Sequence, residues 1–531
     1  RLFILLLFLA GIFNIGLVID GWPQSFLSER NSTLHIVFLG IAVLVLLLPS
    51  RVDYRRLSRV MFWAFAIVLA ISMPFILTLR FMGVNDLPTL LHYFAEHSTV
   101  ETGRLMANDY AGPIAEQVFA FVLFGVAAFV LYRMVAGFSL LILLPLTVWI
   151  VQHNPIWHYG KMAMFPPAEY QLLDYDDLLE DPQISFDGAE YKNLIVLYLE
   201  SYERNHFDVP KLAPFVAPLG ELKETSLEFA NISQTYGTAN SVSGVISSMC
   251  GIPFVLRNTL NLSIASEATP DQGFFTDIDC LPDVLSSHGY ATEYFIGADL
   301  HTYSIETFLS SHGFDKWFGL QSATPDMLAN SRTNWGLSDD VAFAQARDAI
   351  SRYADEGRNF FIALSTQSTH GPDGFPDPEC DKYRDHESGM PGALLCTAEN
   401  VRAVVDHVQD LGLRDDTVIA VLSDHLAWPS VFIDDLEAAG TRRNLFIVLD
   451  QENPRVVDKL GLPFDAYPTF LELLGFEVSG RRAYFGRSLL ADDETLAEVH
   501  GVETINAAFS GNMELSRRIW IGKSGGTGSG E

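Results

Sequence analysis

The chain has 531 residues, 49% of them hydrophobic, and a formal net charge of −31. That length implies more than one domain, and the two extremes coexist only if the apolar and the acidic residues occupy different regions. A net charge of this sign, with no long basic run, excludes a nucleic-acid-binding protein.

The long apolar runs lie before residue 153 and most of the acid lies after it. Five stretches, 2–19, 33–49, 60–80, 114–132 and 138–152, have the length and composition of membrane-crossing helices. The first could be a signal peptide, but no small-residue cleavage site follows it and further spans do, so it reads as an anchor. Arg51, Arg55, Arg56 and Arg59 crowd the second loop, and Arg133 lies between the fourth and fifth spans. Asp20, Glu29, Asp86, Glu96, Glu101 and Asp109 lie in the first and third loops. Arginine-bearing loops stay cytoplasmic. The expectation is a multi-pass anchor over 1–152 in a bacterial inner membrane, with everything after it in the periplasm. The chain starts on Arg1 rather than methionine, so a short N-terminal piece is expected to precede it.

Residues 153–190 read as a juxtamembrane connector. HNPIWHYGKMAMFPP carries aromatics and prolines suited to a headgroup layer, and the acidic, turn-rich DYDDLLEDPQISFDG follows. The next region, 191–523, alternates buried apolar runs with amphipathic segments. NLIVLYLES (193–201), ATEYFIG (291–297), FFIALST (360–366), TVIAVLS (417–423) and NLFIVLD (444–450) predict strands. CLPDVLSSHG and SDDVAFAQARDAISRYADEG predict helices between them. Such alternation predicts an α/β domain with a mostly parallel sheet flanked by helices. The tail SGGTGSGE, 524–531, reads as an expression scar.

Ligands of such sheets sit beyond the carboxyl ends of the strands. Glu200 ends the first strand, His370 follows FFIALST, and Asp424 and His425 end TVIAVLS. Taken singly, a strand-end acid caps a helix and a strand-end histidine is merely hydrogen-bonded. Together they aim metal-capable groups at one edge, where a buried carboxylate is costly unless paired or coordinated. One cation would satisfy Glu200, Asp424 and His425, and carboxylate plus imidazole suits manganese, zinc or magnesium. A metal of this kind can polarise a phosphoryl oxygen or activate a hydroxyl. SQTYGTANSVSGVISSMCGIPF, 233–254, offers the hydroxyls: Gly237 and Asn240 permit a tight turn, and SVSGVISSM reads as the first turns of a helix. A helix N-terminus favours a phosphate and a developing alkoxide. Ser241 is at the expected start; Thr238 and Ser243 compete on chemistry alone, and each of the three taken singly also suits an N-cap or turn.

Four cysteines, Cys250, Cys280, Cys380 and Cys396, all fall in the exported part. An oxidising compartment favours two disulfides; three connectivities exist, and the local one, 250–280 with 380–396, is the expectation. No C-x-x-C spacing supports a cysteine metal site.

Six motifs occur in order: NLIVLYLESYER, GTANSVSGVISSMCGIP, GFDKWFG, NWGLSDD, THGPDGF and VLSDHLA. Over about 193–450 the chain resembles the sulfatase-like, membrane-anchored phosphoglycerol transferases of the alkaline phosphatase superfamily. The likeness is greater to the branch that decorates osmoregulated periplasmic glucans than to lipoteichoic acid synthases. The resemblance implies an alkaline-phosphatase/sulfatase-like fold and a single divalent metal, usually manganese, held by Glu200, Ser241, Asp424 and His425. It implies that Ser241 is the nucleophile and that His370 holds the phosphoryl group or protonates the leaving alkoxide. It further implies phosphatidylglycerol as donor and a periplasmic glucan as acceptor, and the cysteines stand where the glucan branch has its own. Two departures follow. Serine replaces the family's threonine nucleophile, and Tyr303 and Ile305 stand where the lipoteichoic branch binds glycerol phosphate with a tryptophan and an arginine. Asp299, His301 and Tyr303 are therefore headgroup candidates, as are Asn334 and Trp335, the last equally a core residue. SVSGV lacks the C-x-P-x-R or S-x-P-x-R run of true sulfatases, so sulfate-ester hydrolysis is not expected.

Three rival readings exist. A phosphoethanolamine transferase acting on lipid A or glycan shares the architecture. A non-catalytic membrane-anchored relative is suggested by the serine and opposed by the intact ligand set. A transporter is opposed by spans almost free of charge, Glu116 near one end excepted.

Overall fold

The computed structural model of the chain divides into two compact units, Arg1–Pro166 and Pro167–Glu531. It describes residues 59–60, 62–72, 118–119, 122, 125–126, 129, 147, 164–165, 168–186, 192–255, 274–275, 277–301, 305–333, 335–377, 389–428, 430–449, 453–510 and 512–521. Most of the five predicted spans therefore lies outside the described residues. In the first unit the longest described piece is helical, 62–72, inside the third predicted span, with Phe65 and Leu69 buried and Trp63, Ile67 and Ile71 exposed. Among the described residues no helix is long and apolar enough to cross a membrane.

In the second unit an eight-stranded sheet forms the centre. In chain order its strands are β1 Asn193–Leu199, β2 Leu227–Phe229, β3 Ala291–Ile296, β4 Lys316–Phe318, β5 Phe360–Ser365, β6 Thr417–Ser423, β7 Phe446–Val448 and β8 Arg455–Val457. Their order across the sheet is β4-β3-β5-β1-β6-β7-β2-β8. Every neighbouring pair is parallel except the two made by β7, which runs against both β6 and β2.

The continuous apolar runs follow from burial on both faces. Along β1, Leu194, Val196 and Tyr198 join one core and Ile195, Leu197 and Leu199 the other, as the two-residue period of a strand dictates. The first core packs under α2 (Ser241–Cys250) and α3 (Leu281–Ser287). The second packs under α1 (Ala213–Glu224), α4 (Asp339–Glu356) and α5 (Met390–Asp410).

Register levels the strand ends. Leu199 of β1 stands opposite Ser423 of β6, and Tyr198 opposite Ser365 of β5. The residues that follow these positions emerge side by side at one edge. The connector's end belongs to this unit: Ile184–Ser185 pairs antiparallel with Glu477–Val478, inside the stretch read as 153–190.

Candidate active site

Helix α2 begins at the edge where β1, β5 and β6 end. Asn240 is its N-cap: the Asn240 side chain accepts the Ser243 N–H at 3.0 Å, and the Ser243 hydroxyl accepts the Asn240 N–H at 3.1 Å. This capping box occupies Ser243. Thr238 is buried and its hydroxyl donates to the Thr235 carbonyl at 2.8 Å. Ser241, the first helical residue, instead donates to Glu200 Oε2 at 2.7 Å, with His425 Nε2 3.4 Å from its oxygen. The three competing hydroxyls are thereby distinguished by what their neighbours already use.

Glu200, Asp424 and His425 are all buried, and one ligand atom from each lies within 4.8 Å of the others. His425 Nε2 is 3.3 Å from Glu200 Oε1 and 3.7 Å from Asp424 Oδ2. The backbone fixes these groups. Ser201 sits at φ +54°, a left-handed conformation costly for a residue with a side chain. There its N–H reaches Asp424 Oδ1 at 2.9 Å and its hydroxyl reaches Glu200 Oε1 at 2.7 Å. The His425 N–H also donates to Asp424 Oδ1, at 2.7 Å, which leaves Oδ2 facing the imidazole. His425 Nδ1 lies 2.7 Å from the Leu426 carbonyl. A proton on Nδ1 is the tautomer that this contact favours, and it turns the Nε2 lone pair inward. Helix α2 comes close enough because residue 244 is glycine: a Cβ there would stand 1.8 Å from the Asp424 carbonyl oxygen.

The charges are interdependent. Burial alone would raise the Glu200 carboxyl, but the charge and hydrogen bond of His425 hold it well below the usual carboxylate range. Asp424 is pushed up by burial and by the neighbouring Glu200 charge. His425 is raised to about 9, because the Asp424 and Glu200 charges outweigh the lowering effect of burial. Two buried carboxylates share one imidazolium, with a hydroxyl alongside. That donor set fits a hard or borderline divalent cation, and the choice among manganese, magnesium and zinc is left to geometry. A second cluster, Cys280, Asp283 and His312, does not match it: the Cys280 sulfur is bonded to Cys250.

His370 follows β5 and faces two indoles. Its ring centre is 4.2 Å from that of Trp335 and 5.3 Å from that of Trp428. Trp428 also lies 5.4 Å from the His425 ring, and its indole N–H donates to the Ala239 carbonyl at 3.3 Å. Trp335 thus lines the site. Trp428 does too and was not singled out from sequence; its signal was its place three residues after His425. Glu203, fully buried, is the other missed group. It accepts from the Ala427 N–H at 3.0 Å and from Arg442 Nε at 2.9 Å, which braces the strand-end loop. Asp299 is half-buried and His301 exposed; they lie 3.0 Å apart and share Gln321 as a neighbour rather than joining the acidic cluster. Ile305 is buried at the start of a short helix. Tyr303, Asn334 and Cys380 lie outside the described residues. Cys250 and Cys280 are bonded to each other, and Cys396 is disulfide-bonded as well.

The sulfatase family profile matches residues 192–476. Phosphoglycerol transferase I of Xanthomonas campestris pv. campestris is 28% identical over 385 residues, covering 70% of this chain and 53% of its own. Phosphoglycerol transferase I of Escherichia coli O139:H28 is 32% identical over 366 residues, covering 66% of this chain and 46% of its own. The chain therefore spans about half the length of the curated relatives it matches. Two solved structures share the fold. An alkaline phosphatase superfamily protein from Vibrio parahaemolyticus has a TM-score of 0.51 at 19% identity, covering 66% of this chain and 97% of that one. Lipoteichoic acid synthase LtaP from Listeria monocytogenes has a TM-score of 0.50 at 18% identity, covering 65% and 97%. With more than half its length matched, and with that match enclosing the strand-end cluster and the start of α2, the chain belongs to the sulfatase family.

Proposed function

We propose that the chain is a membrane-anchored phosphoglycerol transferase that moves phosphoglycerol from phosphatidylglycerol to a periplasmic glucan. In this reading residues 1–152 hold it in the inner membrane, and the connector 153–190 sets the site at the height of the lipid headgroups. Glu200, Ser241, Asp424 and His425 hold one divalent cation, manganese before zinc or magnesium. When bound, the cation supplies Lewis acidity. The observation that carries the proposal is the 2.7 Å contact of the Ser241 hydroxyl with Glu200 at the first turn of α2. The names of the matching relatives supply the group transferred.

The chemistry follows from the positions. Ser241 loses its proton to solvent, and its oxygen, held beside Glu200, attacks the phosphorus of the lipid. The free N–H groups at the start of α2 stabilise the charge that grows on the phosphoryl oxygens. Diacylglycerol leaves as its oxygen takes a proton from His370, and a phosphoglyceryl ester remains on Ser241. A glucan hydroxyl then gives its proton to His370 and attacks the same phosphorus, and the Ser241 oxygen leaves in the deprotonated form in which it attacked. The serine acts as itself, since SVSGV lacks the run that true sulfatases convert.

The test is diacylglycerol release from labelled phosphatidylglycerol by Ser241→Ala. We expect a loss of about a thousandfold or more. Unchanged turnover removes Ser241 as nucleophile. Phosphatidylethanolamine assayed beside phosphatidylglycerol separates this reading from a phosphoethanolamine transferase.

A further inference from the structure

Two buried carboxylates lie behind the His370 loop and outside the cation cluster. Asp339 opens α4 and is fully buried, and Asp377 is 2% exposed. Asp339 accepts the backbone N–H of Gln367 at 2.9 Å through Oδ1 and that of Ser368 at 2.9 Å through Oδ2. These two residues begin the loop. Asp377 closes it: Oδ1 accepts the Asp339 N–H at 3.0 Å and lies 3.3 Å from the Ser368 hydroxyl. Its Oδ2 accepts the side-chain amide of Asn400, on α5, at 3.1 Å.

The loop is also bonded to itself. The His370 N–H reaches the Gln367 carbonyl at 3.1 Å, the Gly374 N–H reaches the His370 carbonyl at 3.1 Å, and the Phe375 N–H reaches the Ser368 carbonyl at 2.8 Å. The Gln367 side chain donates to the Leu337 carbonyl, and Trp335, four residues before Asp339, stacks on His370. Both ends of the His370 loop are therefore held by one pair of carboxyls, and so is the segment that carries its aromatic neighbour.

We propose that Asp339 and Asp377 are positioning residues for His370, acting through the 367–377 loop. The inference rests on the role given to His370 above. The contacts of both carboxyls are N–H and O–H groups, not cations, and two unpaired buried charges would be expensive. Burial pushes both carboxyls up, and Asp339 and Asp340 push Asp377 further. The pair consequently retains a proton, and the Ser368 hydroxyl stands between its members. The arrangement fixes an imidazole by a carboxyl pair that shares a proton and is held by N–H and O–H donors, with no cation among those donors.

The loop also touches the cation cluster. The Glu200 N–H donates to the Thr366 hydroxyl at 2.9 Å, and the Thr369 hydroxyl donates to the Glu200 carbonyl. A test must separate the two routes.

The full chain, loaded with manganese, would be assayed on phosphatidylglycerol as wild type, Asp339→Asn, Asp377→Asn, Ser368→Ala and His370→Ala, and as each double with His370→Ala. Manganese affinity would be measured for all. Asp339→Asn and Asp377→Asn should each lower kcat by up to about a hundredfold, the cost of a catalytic group displaced by an ångström. In the His370→Ala background the same changes should alter kcat by less than about twofold, because their effect passes through the missing ring. Ser368→Ala keeps every backbone bond and should show the same non-additivity, more weakly, even if an aspartate variant does not fold. Additive losses overturn the inference, as does a fall in manganese affinity large enough to explain them. Full activity of His370→Ala alone overturns the reading of His370 itself.

Discussion

Without metal, His425 keeps a proton up to about pH 9, and Asp424 stays protonated well above the ordinary carboxylate range. A cation needs His425 neutral and Asp424 ionised, so its binding must expel both protons. Glu200 adds none, since it is already held ionised. The sign follows: both folded values are raised, so protons compete with the metal at low pH, and the competition fades as pH rises toward 9. Manganese affinity should climb by up to about a hundredfold per pH unit below that point and level off above it. Calorimetric titrations in two buffers of different ionisation enthalpy would show about two protons released per ion near neutral pH. An affinity flat from about pH 6 to 9 would remove Asp424 and His425 from the ligand set.

Helix α2 presents Ser241 because it can lie across the end of β6, and the point of contact is Gly244 against the Asp424 carbonyl. That oxygen belongs to backbone and cannot swing away. Gly244→Ala should therefore move the helix rather than a side chain. The expected cost is about 3 kcal/mol in stability, read from the denaturant midpoint, with activity falling further than stability because Ser241 and Glu200 part. A variant with normal activity would mean that the approach is looser than 1.8 Å implies. The same contact marks the limit of what was legible from sequence. The strands β1, β3, β5, β6 and β7 were visible as apolar runs because both of their faces are buried. The edge elements β2, β4 and β8 were not, since three residues each carry no period; β8 reads Arg-Val-Val with two of its residues exposed. The direction of β7 was also hidden, because a run of buried residues reads the same both ways. Glu200, Asp424 and His425 could be grouped from their strand-end positions alone. Asp377 and Trp428 could not: their partners lie 38 residues away at Asp339 and across the site at His370, and nothing local foretells the approach.

Charge acts on the scale of the whole molecule. Residues 1–152 are nearly balanced in acid and base, so the net charge of −31 falls almost entirely on the part that carries the site. Two of the connector's acids are matched locally: Asp177 pairs with Arg482 at 2.6 Å, and Asp176 pairs with Arg518. These exposed pairs add little stability. A body this acidic is repelled by a membrane rich in phosphatidylglycerol, the proposed donor, and only an anchor or a screening salt brings the two together. Raising salt from about 10 mM to about 150 mM shortens the Debye length from about 30 Å to about 8 Å. Turnover on phosphatidylglycerol vesicles should accordingly rise severalfold over that range, and the gain should shrink when the lipid is diluted into a zwitterionic bilayer. An enzyme that recruited its lipid through a basic surface would slow down instead. Vesicle assays at fixed manganese, varied only in monovalent salt, decide between the two: a fall in rate would mean that local cationic groups, and not the net charge, govern how the site meets the bilayer.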